Sequence, residues 1–475
     1  MIPPLPAART RKGVHLLKPK AERIAEYCLS VREISSAAEH EAKRRLLDSF
    51  ACAIGAWRMP VATSLIAIGE RAQPTSGKGA QIFGRRSRAL LEYAAFCNGG
   101  LVRTLDFNDT YLAKEPAHPS DNIAPLLAVA QVYGLDGRTL LRGIALSYEI
   151  QCRLCDANSL RSRGIDHVVY GAFSVAAGAG AMLGVKRDVL LHALGLAGVC
   201  NFATRQTREG EMANWKASAF SNAARNSLFA LTAAMDGMTG PNPIFEGVKG
   251  MEKVITGAFD LVLPGNGESP EMILKTYIKP FPVEYHAQSA VEAAIRLHAK
   301  GIKLDDVEEI VVRTHKASYE IIGSQPEKWD PMSKETADHS LPYCIAVALR
   351  DGTVDERSFY RATYRDPKLL AFLKRIKVVE DADFTAAYGD KFANHLRVAL
   401  KGGRVVEDES HYPLGHPKNP MTDAQIEGKF HLLAEGLLSD REQKDFIAAC
   451  WSLEKTGDLS SILPAIKADP GGVEH

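Results

Sequence analysis

The sequence predicts a mainly α-helical fold with one smaller α/β domain inserted toward its C-terminal side, and three observations carry that prediction. Apolar residues recur at helical spacing through most of the first 272 residues. β-Branched runs and a Gly-Gly turn appear between about Ile273 and Gly415. Helical spacing returns from Thr422 onward. The economical arrangement is one large all-helical domain built from both chain ends, 1–272 and 416–475, with 273–415 as the insert.

The elements follow in order. Ser36 with Glu39 suggests a capping box ahead of a helix carrying Leu46, Leu47, Phe50, Ala51 and Ile54. Further helical patterns cover Leu90–Leu101, Ile123–Tyr133, Gly143–Leu154, Gly171–Leu183, Val189–Val199 and Ala217–Met235, separated by Gly, Pro or Asn turns. In the insert, Ala290–Leu297 predicts a helix. Val307–Thr314 (VEEIVVRT) and Ile376–Val379 predict strands, and Leu396–Leu400, Gly402-Gly403 and Arg404–Val406 predict a hairpin. Ile426, Phe430, Leu433 and Leu437, then Phe446, Ala449 and Leu453, predict the closing helices.

Composition bounds the function. The chain has 475 residues, 46% of them hydrophobic, and a formal net charge of +1. That supports two or three packed domains and argues against a nucleic-acid partner, which would demand a global excess of Lys and Arg. No signal peptide is expected, because the basic stretches Arg9–Lys12 and Lys18–Arg23 lack a following apolar run. The most apolar segment, Ala172–Val185, is too short to span a bilayer, so no membrane partner is expected and the cytoplasm is the expected location. The scattered cysteines read as reduced and mostly buried. Cys152-x-x-Cys155 sits in a helical pattern without a second pair, so a packing role is expected rather than a redox, zinc or iron–sulfur site.

Four polar clusters could carry chemistry. The first runs Leu105-Asp106-Phe107-Asn108-Asp109-Thr110, then His118-Pro119-Ser120-Asp121. Ser120 and Asp121 are expected to cap the helix that follows, whereas Asp106 and His118 are acid/base candidates, a structural aspartate being the alternative. The second holds Arg205, Arg208 and Lys216. A lysine opening a helix opposes the macrodipole, so carboxylate binding is the functional reading and a solvated loop lysine the bland one. The third, Lys279-Pro280-Phe281-Pro282 with Tyr285-His286, lies where the pattern changes from helical to mixed, a favoured place for a cleft. The fourth is Asp338-His339-Ser340-Leu341-Pro342-Tyr343. His339 and Tyr343 share a face if the segment is helical throughout. Pro342 in a first turn would instead make Ser340 the cap and separate them.

LDFNDTYLAKEPAHPSDN, MANWKASAFSNAARN, KPFPVEYHAQSAVEAA, VVRTHKA and ADHSLPY together resemble the MmgE/PrpD family, in the family's order and across nearly the whole chain. The resemblance implies a large helical domain with an α/β lid, a homodimer, and chemistry beside a carboxylate with no metal and no organic cofactor. It places catalytic roles on Asp106, His118, Lys216, His286 and Tyr343, with Thr110 beside them. Arg205, Arg208, Lys279 and His339 are expected to help bind substrate. Within the family, the long spacer between Thr110 and His118 is similar to bacterial 2-methylcitrate dehydratases, while Arg205–Lys216 departs from the best-known of them. The implied reaction is dehydration of a tricarboxylate, 2-methylcitrate, in propionate degradation. cis-Aconitate decarboxylation or dehydration of citrate or another tricarboxylate is the nearest alternative, and a non-catalytic helical scaffold the remote one. A histidine, His118 or His286, is expected to be the base, with Tyr343 as proton donor to the leaving hydroxyl.

Overall fold

The computed structural model describes residues 18–75, 78–210 and 212–472. The basic stretch Arg9–Lys12 lies outside the described residues. The helical body contains α1 (Lys20–Ser30), α2 (Ser36–Ala56), α3 (Pro60–Glu70), α4 (Leu91–Thr104), α5 (Ile123–Tyr133), α6 (Gly137–Ala157), α7 (Val168–Leu183), α8 (Arg187–Cys200) and α9 (Trp215–Met235). The second unit adds α10 (Gln288–Ala299) and α11 (Leu341–Asp351), and the chain closes with α12 (Asp423–Ala434) and α13 (Asp440–Trp451).

α7 lies at the centre because it is built from small residues. A Cβ on Gly171 would meet the Phe220 ring of α9 at 2.1 Å, and one on Gly178 would meet Ser147 Oγ of α6 at 1.9 Å. Glycine there lets three helices pack closely. No single helix among the described residues is long and apolar enough to cross a membrane.

The sheet of the second unit has strands β1 (Val307–Thr314), β2 (Ile376–Glu380), β3 (Asn394–Leu400) and β4 (Val405–Ser410), in the order β2-β1-β3-β4. β1 pairs parallel with β2 and antiparallel with β3, and Val312 faces Leu396. The hairpin β3–β4 turns at Gly402 and Gly403, whose φ values of 92° and 86° suit glycine. Val307, Ile310 and Val312 point inward with Leu396 and Val398, and α10 packs across the sheet.

Buried apolar side chains fall into two main clusters. The larger draws on residues from Ala21 to Ile278 and again from Met421 to Ile466. The other runs from Val283 to Leu400.

Two local expectations are corrected, and the cysteines agree with theirs. α2 is capped by Ser35, whose hydroxyl accepts the Ala38 amide, and Glu39 pairs with Lys43 instead of completing a capping box with Ser36. Ser120 and Asp121 do not cap α5. They lie in a 3-10 turn, Pro119–Asn122, where Asn108 donates to Ser120 Oγ at 2.9 Å and Asp121 Oδ1 at 2.8 Å. Among the cysteines, Cys200 is exposed while the others, Cys152 and Cys155 included, are buried free thiols.

Candidate active site

A cavity of about 150 Å³ is lined by residues of the helical body and of the second unit. Its organiser is Asp106. α4 ends at Thr104, and two residues on Asp106 takes φ 52°, the sole positive φ at a non-glycine among the described residues. Aspartate tolerates this left-handed conformation better than most residues. The turn sends its carboxylate back to Arg103, in the last turn of α4, which donates to Oδ1. Lys279 donates to the same oxygen at 2.9 Å and to the Asp106 carbonyl at 2.8 Å, and Lys216 donates to Oδ2 at 3.1 Å. Burial would push this carboxyl up. Arg103, then Lys216 and Lys279, outweigh it and hold Asp106 well below the carboxylate range. Asp106 is therefore ionised and serves as a counterion rather than a proton donor.

Lys216 lies in the first turn of α9 with 4% of its surface exposed. Asp106 and Asp338 offset its unfavourable place against the macrodipole. Burial still leaves its ammonium more acidic than an ordinary lysine. Asp106, Asp338 and His339 bring metal-ligand-type atoms within 4.8 Å of one another. The Lys216 ammonium sits among them, 3.1 Å from Asp106, 3.6 Å from Asp338 and 3.2 Å from His339, and is the cation of that cluster.

Asp338 is ionised, because Lys216 and Lys334 outweigh its burial. It accepts from Lys334 at 2.6 Å and lies within hydrogen-bond distance of His339 Nδ1. Burial and the Lys216 charge lower His339 to about 4.

The tautomer of His118 also follows from its partners. Arg103 can only donate, and it reaches His118 Nε2 at 2.8 Å, so Nδ1 carries the hydrogen and donates to the Asp109 carbonyl at 2.7 Å. Thr110 Oγ1 lies 3.2 Å from the same nitrogen, which leaves the threonine hydrogen free to donate elsewhere. Burial, then Arg103 and Lys279, hold His118 well below the usual imidazole range. Its basic nitrogen is thus both engaged and weak.

His286 has a different setting. Its Nδ1 donates to Glu284 at 2.8 Å, the same carboxylate accepts the His286 amide at 2.8 Å, and the Tyr388 hydroxyl lies 3.0 Å from Nε2. Against the effect of burial, the His286 charge and hydrogen bond bring Glu284 down to about 2, and burial pushes Tyr388 up to about 12. An ionised carboxylate that fixes Nδ1–H and leaves Nε2 to accept is the arrangement a general base requires.

Arg205 and Arg208 form a third wall. Arg205 pairs with Glu209 at 2.9 Å, and Arg208 with Asp166 at 2.9 Å. Asp166 in turn holds His167 Nδ1 at 3.0 Å. The His167 ring edges against His118, and its buried Nε2 has no hydrogen-bond partner. Burial and Arg208 lower His167 to about 4.

The cavity therefore brings together Asp106, Thr110, His118, Arg205, Arg208, Lys216, Lys279, His286 and His339, all singled out from the sequence. It adds Arg103, His167 and Glu284, which sequence reasoning missed, and Tyr388 stands behind His286. The available signals were slight: Glu284 within FPVEYH and Asp166-His167 ahead of an apolar run.

Tyr343 is the correction. Ser340 caps α11 by accepting the Tyr343 amide, and Pro342 occupies the first turn. His339 and Tyr343 consequently part, and Tyr343 is fully buried with its hydroxyl donating to the Ser358 carbonyl. Burial pushes that phenol far above its ordinary value, so it is no proton donor to a leaving group. Tyr343→Phe should keep kcat/KM within about twofold while lowering stability by about 1–2 kcal/mol, the loss of one buried hydrogen bond. Steady-state rates and thermal unfolding of the same preparation check this.

The buried histidines also set acid stability. Above pH 6.5 His167 and His339 are neutral in both folded and unfolded chains. As pH falls from 6.5 toward about 4, the unfolded chain takes up protons that the folded one refuses, and stability is lost. A histidine moved that far accounts for on the order of 3 kcal/mol. Below about pH 4 the depressed carboxylates Asp106, Asp338 and Glu284 add to the loss. The melting temperature, recorded across pH, should fall steadily below 6.5; a flat profile from 6.5 to 4 would contradict the buried neutral states.

Comparison with known proteins gives two family matches: residues 22–263 match the MmgE/PrpD N-terminal domain, and residues 281–455 the MmgE/PrpD C-terminal domain. Among curated proteins, the 2-methylcitrate dehydratase of Cupriavidus necator is 32% identical over 432 residues, covering 83% of this chain and 85% of the relative. That of Escherichia coli (strain K12) is 28% identical, covering 85% and 88%. The mitochondrial 2-methylcitrate dehydratase of Yarrowia lipolytica is 30% identical, covering 83% and 79%.

Proposed function

The chain belongs to the MmgE/PrpD family, and on that premise we propose that it is a hydro-lyase that removes water from 2-methylcitrate to give 2-methyl-cis-aconitate. The observation that carries this is the cavity's charge: among the described residues, seven cationic side chains against four carboxylates line it, with His118, His167, His286 and His339 beside them. A polyanionic substrate suits such a surplus, and a proton removed beside a carboxylate suits the histidines.

In this mechanism His286 Nε2 takes the proton from the carbon next to a carboxylate, with Glu284 orienting the ring and Tyr388 yielding its hydrogen bond. Charge spreading onto that carboxylate meets Lys279 and the Thr110 hydroxyl, both already oriented. The tertiary hydroxyl leaves as water after accepting a proton from Lys216, whose lowered pKa makes it the better donor. Arg205 and Arg208 hold a second carboxylate. His118 is a positioning residue here, since Arg103 occupies its basic nitrogen. No cysteine lines the cavity among the described residues, so the thiolates of an iron–sulfur cluster have no place in this scheme.

Proton NMR of the purified protein with 2-methylcitrate tests the reaction. Appearance of the unsaturated product supports it, and an unchanged spectrum contradicts it.

The proposed division is a helical domain built from both chain ends and an inserted lid, and the two apolar cores favour a boundary between Ile278 and Val283 over one at residue 273. A homodimer follows from the same reading. Asn226 of α9 donates to Asn201 just after α8, which brings Val199 and Phe202 beside the outward face of α9. Phe202 and Phe229 are 62% and 61% exposed there, and Trp215 48%. A second copy is the proposed cover. Light scattering should give twice the chain mass, and Phe229→Asp should lower it; a monomeric wild type contradicts the proposal.

A further inference from the structure

A tricarboxylate has three anionic groups, and the cations described above face two of them. Most of those cations are already matched: Arg103, Lys216 and Lys279 by Asp106, Arg205 by Glu209, Arg208 by Asp166. Arg161 lines the same cavity, and its guanidinium has no hydrogen bond or ion pair among the described residues. Its charge is felt at Tyr388, the residue that covers His286. It therefore acts from the helical side on the lid side of the cavity.

The chain holds this arginine in place by a dedicated device. Arg161 begins a short 3-10 turn, Arg161–Arg163, closed by Gly164 at φ 72°. The turn is held by Glu115, which is fully buried and accepts the Leu160 amide at 2.7 Å, the Arg161 amide at 2.9 Å and the Ser159 hydroxyl at 3.1 Å. Glu115 belongs to the spacer between Thr110 and His118. The rest of that spacer is fastened to the end of α6: the Glu115 amide donates to the Cys155 carbonyl at 3.1 Å, and the Tyr111 hydroxyl to Asp156 at 2.6 Å. A buried carboxylate spent on three donors of one turn fixes the position of what that turn presents. What it presents to the cavity is Arg161.

We propose that Arg161 is the subsite for the third carboxylate of the substrate, held at the cavity wall by the Glu115 clamp. The inference rests on the tricarboxylate reading and deepens it. A planar guanidinium without a protein counterion binds a carboxylate through two parallel hydrogen bonds, and it does so without first breaking a salt bridge. It selects three carboxylates over two, because a shorter or less charged acid leaves the arginine unmatched.

Calorimetric titration of wild type and Arg161→Gln with tricarballylate, an unreactive tricarboxylate, and with glutarate, which lacks the third group, tests this. Tricarballylate should bind the variant about tenfold more weakly or worse, and glutarate within about twofold of wild type. With 2-methylcitrate, KM should rise by a similar factor and kcat should stay within about threefold, the pattern of uniform binding lost. Arg161→Lys should recover part of the affinity by restoring charge without the fork. Tricarballylate binding equal in wild type and Arg161→Gln overturns the subsite alone and leaves the proposed reaction standing, as does an equal loss for both acids. If wild type binds neither acid and does not turn over 2-methylcitrate, the proposed function falls and the subsite with it.

Discussion

Asp106→Asn should lower kcat by about 10²–10³-fold and also destabilise the protein, because one carboxylate holds three cations in register. Asparagine keeps the size of the side chain and tolerates φ 52°, so the backbone turn survives. What goes is the charge opposite Arg103, Lys216 and Lys279. Removing one partner of a buried ion cluster typically costs about 3–5 kcal/mol, and the remaining oxygen should keep this case near the lower end. A second effect separates an organiser from a proton carrier. Asp106 is the first support of the Lys216 charge, so its neutralisation should make that ammonium still more acidic. The alkaline limb of the kcat profile should move to lower pH in the variant. Unchanged melting temperature and unchanged kcat would show that the Asp106 cluster is incidental.

His286→Ala should lower kcat by about 10²–10⁴-fold, the usual range for a lost general base, with KM close to wild type and a lowered melting temperature, because the partly buried Glu284 carboxylate loses its ring partner. Asn394 donates to the backbone carbonyl of His286, not to its ring, so the local chain keeps that anchor. The same substitution at His118 should cost less, since its Nε2 is engaged by Arg103 and its hydrogen by the Asp109 carbonyl. Parallel rates for the two alanine variants check the ranking. A larger loss at position 118 than at 286 would move the base role to His118.

The sequence shows its architecture where period and composition agree. VEEIVVRT is a strand because its alternate residues Ile310, Val312 and Thr314 are buried, and a register shift between Val307 and Glu309 lets Val307 join them. Lys216 could be singled out because a lysine opening an Ala-rich helix is electrostatically misplaced unless acids await it, and Asp106 and Asp338 do. Tyr343 misled because two facts compete within ADHSLPY: four-residue spacing argues for a shared face, while Pro342 lets Ser340 start a new helix between them. The remaining partners were illegible for a different reason. Glu284 touches His286 two residues away, yet Tyr388 reaches it from a loop 102 residues on. Arg161 shares a short basic turn with Arg163 and acquires meaning only through Glu115, which lies 46 residues earlier. Long-range pairing of this kind leaves no local signature.

The central claim is that one cavity, organised by Asp106 and worked by His286 and Lys216, dehydrates 2-methylcitrate. The most direct test is the initial rate of chelator-treated enzyme on 2-methylcitrate, citrate and cis-aconitate side by side, following ultraviolet absorbance of the conjugated alkene and release of carbon dioxide. The account predicts alkene formation from 2-methylcitrate well above that from citrate, with no carbon dioxide from cis-aconitate. Loss of cis-aconitate with carbon dioxide release, and no alkene from 2-methylcitrate, would contradict it.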